Sequence, residues 1–224
     1  MGLCVERFIE FQSPQDQKRD ARLPRRQNNS SHLKHPKMNE SLRGQILIAG
    51  CQLKDPNFFK TAVLIVEDGP EGSMGLVLNR PSAVTVARAL TGHLDLPANE
   101  ELVYMGGPVE PAALFVVHNS PDLDPDEDPV VPDVYMGSSA QVFENIVCQC
   151  DTYDPIKYRV YCGCAGWGPG QLRGELARGD WLVIPADSSY VFHDDPYSLW
   201  DRLMAKTFQS KRILPLKCEH PEWN

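Results

Sequence analysis

Tyr161-Cys162-Gly163-Cys164-Ala165-Gly166-Trp167-Gly168-Pro169-Gly170-Gln171-Leu172-Arg173-Gly174-Glu175 is the stretch whose reading decides the fold. Residues 157–162 alternate Tyr158, Val160 and Cys162 against Arg159 and Tyr161, which is the period of a strand. The glycines after it predict a turn, and the turn opens a helix that ends near Gly179. Such a turn ends a strand, lets backbone amides be approached closely and starts a helix whose first amides have no partners within it. Its chemistry is not a phosphate loop, because no Gly-Lys-Ser/Thr follows and the full Gly-x-Gly-x-x-Gly in a βαβ frame is missing. Nor does a nucleophile sit at the centre of the elbow: Cys164 comes too early and Gly-x-Ser-x-Gly is absent. Two readings stay open. Either Gly166, Gly168 and Gly170 let Trp167 fold back onto the core, or the helix start at Gly170 and Gln171 holds an anion.

Working outward, Gln45-Ile46-Leu47-Ile48-Ala49 reads as a buried strand, residues 61–66 as a second and Met74-Gly75-Leu76-Val77-Leu78 as a third. Asp68, Gly69 and Gly72 mark the turn between the last two, with Ser73 as a turn residue. Ser82 is placed to cap a short helix to about Leu90, with Val86, Ala89 and Leu90 inward and Gly92 closing it. Leu102-Val103-Tyr104-Met105 is another strand, broken by Gly106-Gly107-Pro108, and Leu114-Phe115-Val116-Val117-His118 resumes the sheet. Ser138 or Ser139 caps a helix toward Cys150, whose apolar face is Val142, Phe143, Ile146, Val147 and Cys150. Residues 181–185 form the last strong strand, and Asp195-Pro196 starts a final helix lined by Leu199, Trp200, Leu203 and Met204. The early strands follow one another too closely for crossover helices. The fold class is therefore α+β, a single domain with a mixed, largely antiparallel sheet, and not a doubly wound one.

A chain of 224 residues with 42% hydrophobic content supports one substantial domain plus extensions. Residues 1–40 read as a disordered basic leader, 41–210 as the domain and 211–224 as an irregular tail. The leader holds eight Lys or Arg against five Asp or Glu, which leaves the rest of the chain at -11 out of a total of -8. A body that acidic makes direct nucleic-acid binding unfavourable, since both partners carry the same sign. No apolar run is long enough to span a bilayer and no secretory signal opens the chain. Seven scattered cysteines fit a reducing compartment, so a cytoplasmic location without membrane contact is expected.

Several constellations invite a chemical reading. Cys148-Gln149-Cys150 lies on a predicted helix, where positions two apart diverge, so both thiolates cannot face one ion. Cys162 and Cys164, read as strand, share a face and can converge, but two ligands do not make a zinc site. Plain buried thiols are the expectation, and the histidines and cysteine of the termini (His32, His35, Cys218, His220) give no fuller set. The acidic run from Ser120 through Pro129 lacks the glycine turn and distal Glu of a calcium loop and reads as a solvated surface loop. His118, after an apolar run, serves as a hydrogen-bonded anchor or as a general base, and the anchor is favoured because no partner is visible beside it.

Five ordered blocks then carry a resemblance. Gly44-Gln45-Ile46-Leu47-Ile48-Ala49, Gly72-Ser73-Met74-Gly75-Leu76-Val77-Leu78-Asn79-Arg80-Pro81, Tyr104-Met105-Gly106-Gly107-Pro108-Val109, Phe115-Val116-Val117-His118 and Ala165-Gly166-Trp167-Gly168-Pro169-Gly170-Gln171-Leu172 resemble the bacterial AlgH/YqgE family, as do Trp181-Leu182 and Pro185-Ala186-Asp187. The resemblance implies a single α+β domain with a bifurcated, barrel-like sheet flanked by helices. It implies no established enzymatic activity and no cofactor or metal, and one branch is named as a regulator of alginate synthesis. It also implies a shared surface formed by Asn79, Gly106, Gly107, Pro108, His118, Trp167, Gln171 and Glu175, to which the helix start adds Gly170. The chain departs from the family at Cys164, where the usual motif has Tyr, and in the extended acidic loop. Two functions follow as expectations. The first is a regulatory or binding protein without catalysis that acts through a protein or small-molecule partner. The second is a small-molecule enzyme or anion-binding protein, with a site formed by Asn79, His118 and the helix opening at Gly170.

Overall fold

The period-two stretches become strands in the computed structural model, which describes residues 40–91, 100–123, 127–137, 139–148 and 156–211. The strands are β1 (Gln45–Ala49), β2 (Ala62–Gly69), β3 (Gly72–Val77), β4 (Pro81–Thr85), β5 (Leu102–Met105), β6 (Val109–His118), β7 (Tyr135–Met136), β8 (Tyr158–Trp167) and β9 (Trp181–Pro185). The helices are α1 (Val86–Ala89), α2 (Ala140–Cys148), α3 (Gln171–Arg178), α4 (Ser188–Val191) and α5 (Leu199–Lys211), the last entered through a 3-10 turn at Pro196–Ser198. Most of the expected leader, the end of the expected tail, Gly92 and Cys150 lie outside the described residues.

The sheet runs β4-β5-β8-β3-β2-β1-β9, with β6 on β8 and β7 on β6. All its pairings are antiparallel except β5 with β8. The fork lies in β8. Along one edge β8 pairs with β5 from Val103↔Val160 to Met105↔Cys162, and then with β3 from Gly75↔Ala165 to Ser73↔Trp167. Gly106 sits at the changeover, its N–H donating to the Cys162 carbonyl and its carbonyl accepting from Val77 N–H. The opposite edge is covered by β6, whose register jumps from Val109↔Cys164 to Leu114↔Cys162. The path is open at β4 and β9, so the architecture is a mixed α+β domain with a large, mostly antiparallel, forked sheet flanked by helices.

Three clusters of buried side chains fill the layers. One takes Ile46, Leu64 and Leu76 from β1 to β3, Tyr104, Phe115 and Tyr161 from β5, β6 and β8, and Leu199, Trp200 and Leu203 from α5. A second joins Leu114, Val116 and Val160 to Val142, Phe143 and Ile146 of α2 and to Val86 and Leu90 around α1. The third sets Leu47, Val63 and Ala165 against Trp167, Trp181 and Leu172 of α3. The sheet is therefore covered on both faces. That is why Tyr158, Arg159, Val160 and Tyr161 are all buried in spite of their alternation.

Two expectations need correction, and one element was not expected. Ser82 caps no helix, because residues 81–85 are the edge strand β4, and α1 is only Val86–Ala89. Ser82 Oγ accepts from Val84 N–H instead, and Thr85 Oγ1 takes over the cap by accepting from Arg88 N–H. An edge position tolerates Pro81, and Ala89 faces solvent. The glycine-rich turn is also shorter than read: β8 continues through Trp167, because β3 and β6 supply partners for residues 164–167. Finally, α4 went unread; Asp187 caps it by accepting from Ser189 N–H at 2.9 Å.

Candidate functional site

At the corner after β8 the structure gathers Trp167, Gln171 and Glu175, together with Trp181 and Phe58. Gln171 and Glu175 are four apart on α3 and so share a face. The Glu175 Oε2 accepts from Trp167 Nε1 at 2.9 Å and from Trp181 Nε1 at 2.8 Å, while Oε1 accepts from Gln171 Nε2 at 3.0 Å. Gln171 Oε1 in turn accepts from Gly168 N–H at 3.1 Å. The two indoles meet edge to face at 6.0 Å between centroids, and Phe58 lies 6.1 Å from Trp167 and 5.4 Å from Trp181. Burial pushes the Glu175 carboxyl up, but the hydrogen bonds from Trp181, Gln171 and Trp167 and the charge of Arg178 outweigh it and hold the group below its ordinary value.

At the helix opening the chain turns through a glycine, and no side chain caps the first turn. Gly170 takes the left-handed conformation at φ 73° as N-cap. Gln171 N–H donates to the Gly168 carbonyl and Gly174 N–H to the Gly170 carbonyl. Further along α3, Arg173 donates to Asp68 Oδ2 at 2.8 Å and to the Glu40 carbonyl at 2.7 Å. Asp68 also accepts from Leu42 N–H at 2.6 Å and from Ser73 Oγ at 2.6 Å, so it ties the β2–β3 hairpin to the chain entering β1 and to α3.

The remaining candidates fall elsewhere. Gly106 and Gly107 belong to the fork, where space forbids a side chain: a Cβ on Gly106 would lie 2.1 Å from the Gly163 carbonyl oxygen, and one on Gly107 2.3 Å from the Cys164 carbonyl. Pro108 follows on the surface, between Met105 and Val109, which are 44% and 42% exposed. Asn79 clamps the start of β2, its Oδ1 accepting from Ala62 N–H at 2.9 Å and its Nδ2 donating to the Lys60 carbonyl at 2.8 Å. Its neighbour Arg80 donates to the Asn57 and Phe59 carbonyls, so the pair pins the loop that carries Phe58 to the corner.

His118 is fully buried at the far end of β6, opposite Tyr158. Its ring stacks on Tyr135 at 5.6 Å and its Nε2 lies 3.6 Å from Glu127 Oε2, too long for a hydrogen bond. The expected hydrogen-bonded anchor is thus corrected to a stacked, charge-facing one. The acidic loop needs correction too: it is not wholly solvated, since Glu127 faces His118 from inside. Because His118 pairs with Tyr158 at the start of ten-residue β8 and Gly170 follows Trp167 at its end, His118 and Gly170 stand at opposite ends of that strand. One site containing both is not formed.

The thiols separate as well. Cys162 packs toward the α2 cluster and Cys164 into the central one, because left-handed Gly163 at φ 71° rotates the strand between them. The expected shared face is therefore lost. Burial, with the charges of Glu110 and Glu67, pushes the Cys164 thiol up to about 11. Among the described residues no cluster of three metal-ligating side chains forms.

With this geometry in place, comparison with known proteins is direct. The AlgH-like pattern (DUF179) matches residues 46–210, which is most of the chain. The chain belongs to the AlgH-like family. A UPF0301 protein of Myxococcus xanthus is 36% identical over 165 residues, spanning 72% of this chain and 88% of that one. Another from Chromobacterium violaceum is 37% identical over 171 residues, 74% and 89% of the two chains. The solution structure of AlgH from Pseudomonas aeruginosa superposes with a TM-score of 0.62 at 32% identity, covering 80% of this chain and 93% of that one. A Corynebacterium diphtheriae protein at 22% identity and a TM-score of 0.61 shares the fold.

Sequence reasoning missed Trp181, Phe58 and Asp68 as members of the corner. The Gln171 and Glu175 spacing was a usable signal for an acceptor facing Trp167. Phe58 carried none, because its loop is held there by Asn79 and Arg80, which are distant from it in sequence.

Proposed function

We propose that this AlgH-like protein acts by binding, as a cytoplasmic regulatory protein without catalysis, and that its partner is a protein contacted at the sheet fork. One observation carries the reading. Met105 and Val109 stand 44% and 42% exposed on either side of Gly106-Gly107-Pro108, where a partner's side chains would meet apolar surface. The polar tips of Asn79, Gln171 and Glu175 are meanwhile bound to other parts of the fold. A regulatory role exerted through a partner rather than by direct DNA contact agrees with a body at -11. Among the described residues no helix is long and apolar enough to cross a membrane, and Cys51 and Cys148 are exposed thiols, which suits a reducing compartment.

The test compares the full chain with Met105→Glu and Val109→Glu in affinity purification from cells, after both variants are shown to unfold at the wild-type temperature. A protein retained by the wild type should bind each variant about ten-fold more weakly, roughly 1.4 kcal/mol. Equal retention, or a salt-sensitive gel shift by the full chain on promoter DNA, would overturn the reading. The competing small-molecule site of Asn79, His118 and Gly170 would require groups that stand at separate places on the sheet.

A further inference from the structure

Two acidic side chains flank the apolar surface on the Val109 side of the fork. Val109 pairs with Cys164 and leans over exposed Gly166, where a Cβ would lie 3.3 Å from Val109 Cγ2. Glu67 stands opposite Met74 and Met74 opposite Gly166, so Glu67 shares that face of the sheet. Glu110 follows Val109 directly. Both carboxylates are exposed, and the charge of each raises the buried Cys164 thiol, which gathers them around one spot. Among the described residues neither has a Lys, Arg or His within 4.0 Å. An apolar side chain between two uncompensated carboxylates suits a segment that carries an apolar residue among basic ones.

The chain carries such a segment. Without Glu40, residues 1–39 hold eight Lys or Arg against four Asp or Glu. Lys18, Arg19, Arg22, Arg25 and Arg26 concentrate in one run with Leu23 among them and Asp20 as its acid. The leader also joins the body close by. The Glu40 carbonyl accepts from Arg173 at 2.7 Å, and Leu42 N–H donates at 2.6 Å to Asp68, the residue after Glu67. Val109 lies three strand spacings from β2, across β3 and β8, or about 15 Å at roughly 4.8 Å each. Arg26 is fourteen residues from Glu40, a reach of up to about 46 Å. Tethering keeps the run at an effective concentration near millimolar, so a weak contact is populated. We propose that residues 18–26 cover the Val109 side of the fork, with Leu23 on Val109 and Gly166 and the arginines facing Glu67 and Glu110, and that the leader thereby competes with the protein partner. The competition rests on the fork being the partner surface; the contact itself does not.

The experiment follows the amide NMR signals of Val109 and Gly166 in the full-length protein without any partner, beside a full-length variant carrying Arg22→Gln, Arg25→Gln and Arg26→Gln. At low salt the two proteins should differ at these signals, and raising salt from about 20 mM to about 500 mM should move the wild type onto the variant. Signals that coincide at low salt overturn the proposal. So does a difference that grows with protein concentration, which assigns the contact to a second copy's leader. Capture of the partner forms the second arm: the protein retained through Met105 and Val109 should bind the arginine variant about five-fold more tightly. Equal binding by the two overturns the competition. If no captured protein depends on Met105 or Val109 while the low-salt difference is present, the fork loses its partner and the leader contact stands. If capture depends on them and the low-salt difference is missing, the leader contact falls and the fork keeps its partner.

Discussion

Glu175 holds three donors with two oxygens, and its loss is expected to be felt chiefly through the indoles left facing it. Glu175→Gln keeps one carbonyl acceptor and adds a competing N–H2, so we expect about 1–2 kcal/mol less stability in urea unfolding near neutral pH, moderated by solvent at the open side of the network. The pH dependence has a definite sign. The folded-state pKa is lowered, so the stabilisation is complete above the ordinary carboxyl value of 4.5 and is lost as pH falls through the folded value. The wild-type advantage should therefore be flat from pH 8 to 6 and shrink below pH 4.5; a pH-independent difference would show that the charge is not what the indoles hold. A second residue-scale contrast separates two glycines. Gly107→Ala drives a Cβ to 2.3 Å from the Cys164 backbone and should cost about 3 kcal/mol or more. Gly174→Ala meets only Arg178 Nη1 at 3.7 Å and should gain about 0.5–1 kcal/mol from helix propensity.

At the scale of elements, each helix is a short cover whose start is fixed by a side-chain cap or a glycine, and whose buried face holds it down. The Ser139 Oγ accepts from Val142 N–H at 3.2 Å at the head of α2. Ser139→Ala should destabilise by about 1 kcal/mol, read as a shift of the urea midpoint with an unchanged m-value. α5 contributes more, because Leu199, Leu203 and Met204 are buried and Trp200 Nε1 donates to the Ala49 carbonyl at 3.0 Å. The AlgH-like pattern, which extends to residue 210, takes in most of it.

For the whole molecule the decisive fact is that β8 serves both arms of the fork. Val160 and Tyr161 pair with β5 and β6, while Ala165 and Trp167 pair with β3 a few residues on. The cluster under α2 is therefore expected to unfold together with the cluster that holds the two indoles. Ile146→Ala, in the α2 cluster, should cost about 2–5 kcal/mol and lower the tryptophan-fluorescence and far-ultraviolet circular dichroism transitions together. Two separated transitions would mean that β8 does not couple the arms.

Much of the fold could be read from local pattern alone. The strands at residues 45–49 and 181–185, the apolar face of α2, and the Asp195-Pro196 entry to the last helix were legible because their periodicity and caps are properties of neighbouring residues. The family, too, was carried by short ordered blocks of sequence. What the sequence could not give was which strands meet. Ser82 looked like a helix cap because the pairing of Pro81 with Tyr104 joins distant residues, and β8 looked finished at Cys162 because β3 and β6 had not yet supplied its further partners. The glycine-rich stretch by itself determined a backbone that must pass close to other chain and a helix opening at Gly170. Only the tertiary structure decided that Gly163 turns Cys162 and Cys164 apart, that Glu175 faces two indoles, and that His118 lies a whole strand away from Gly170. Those outcomes depend on contacts made across the sheet, which no spacing along the chain specifies.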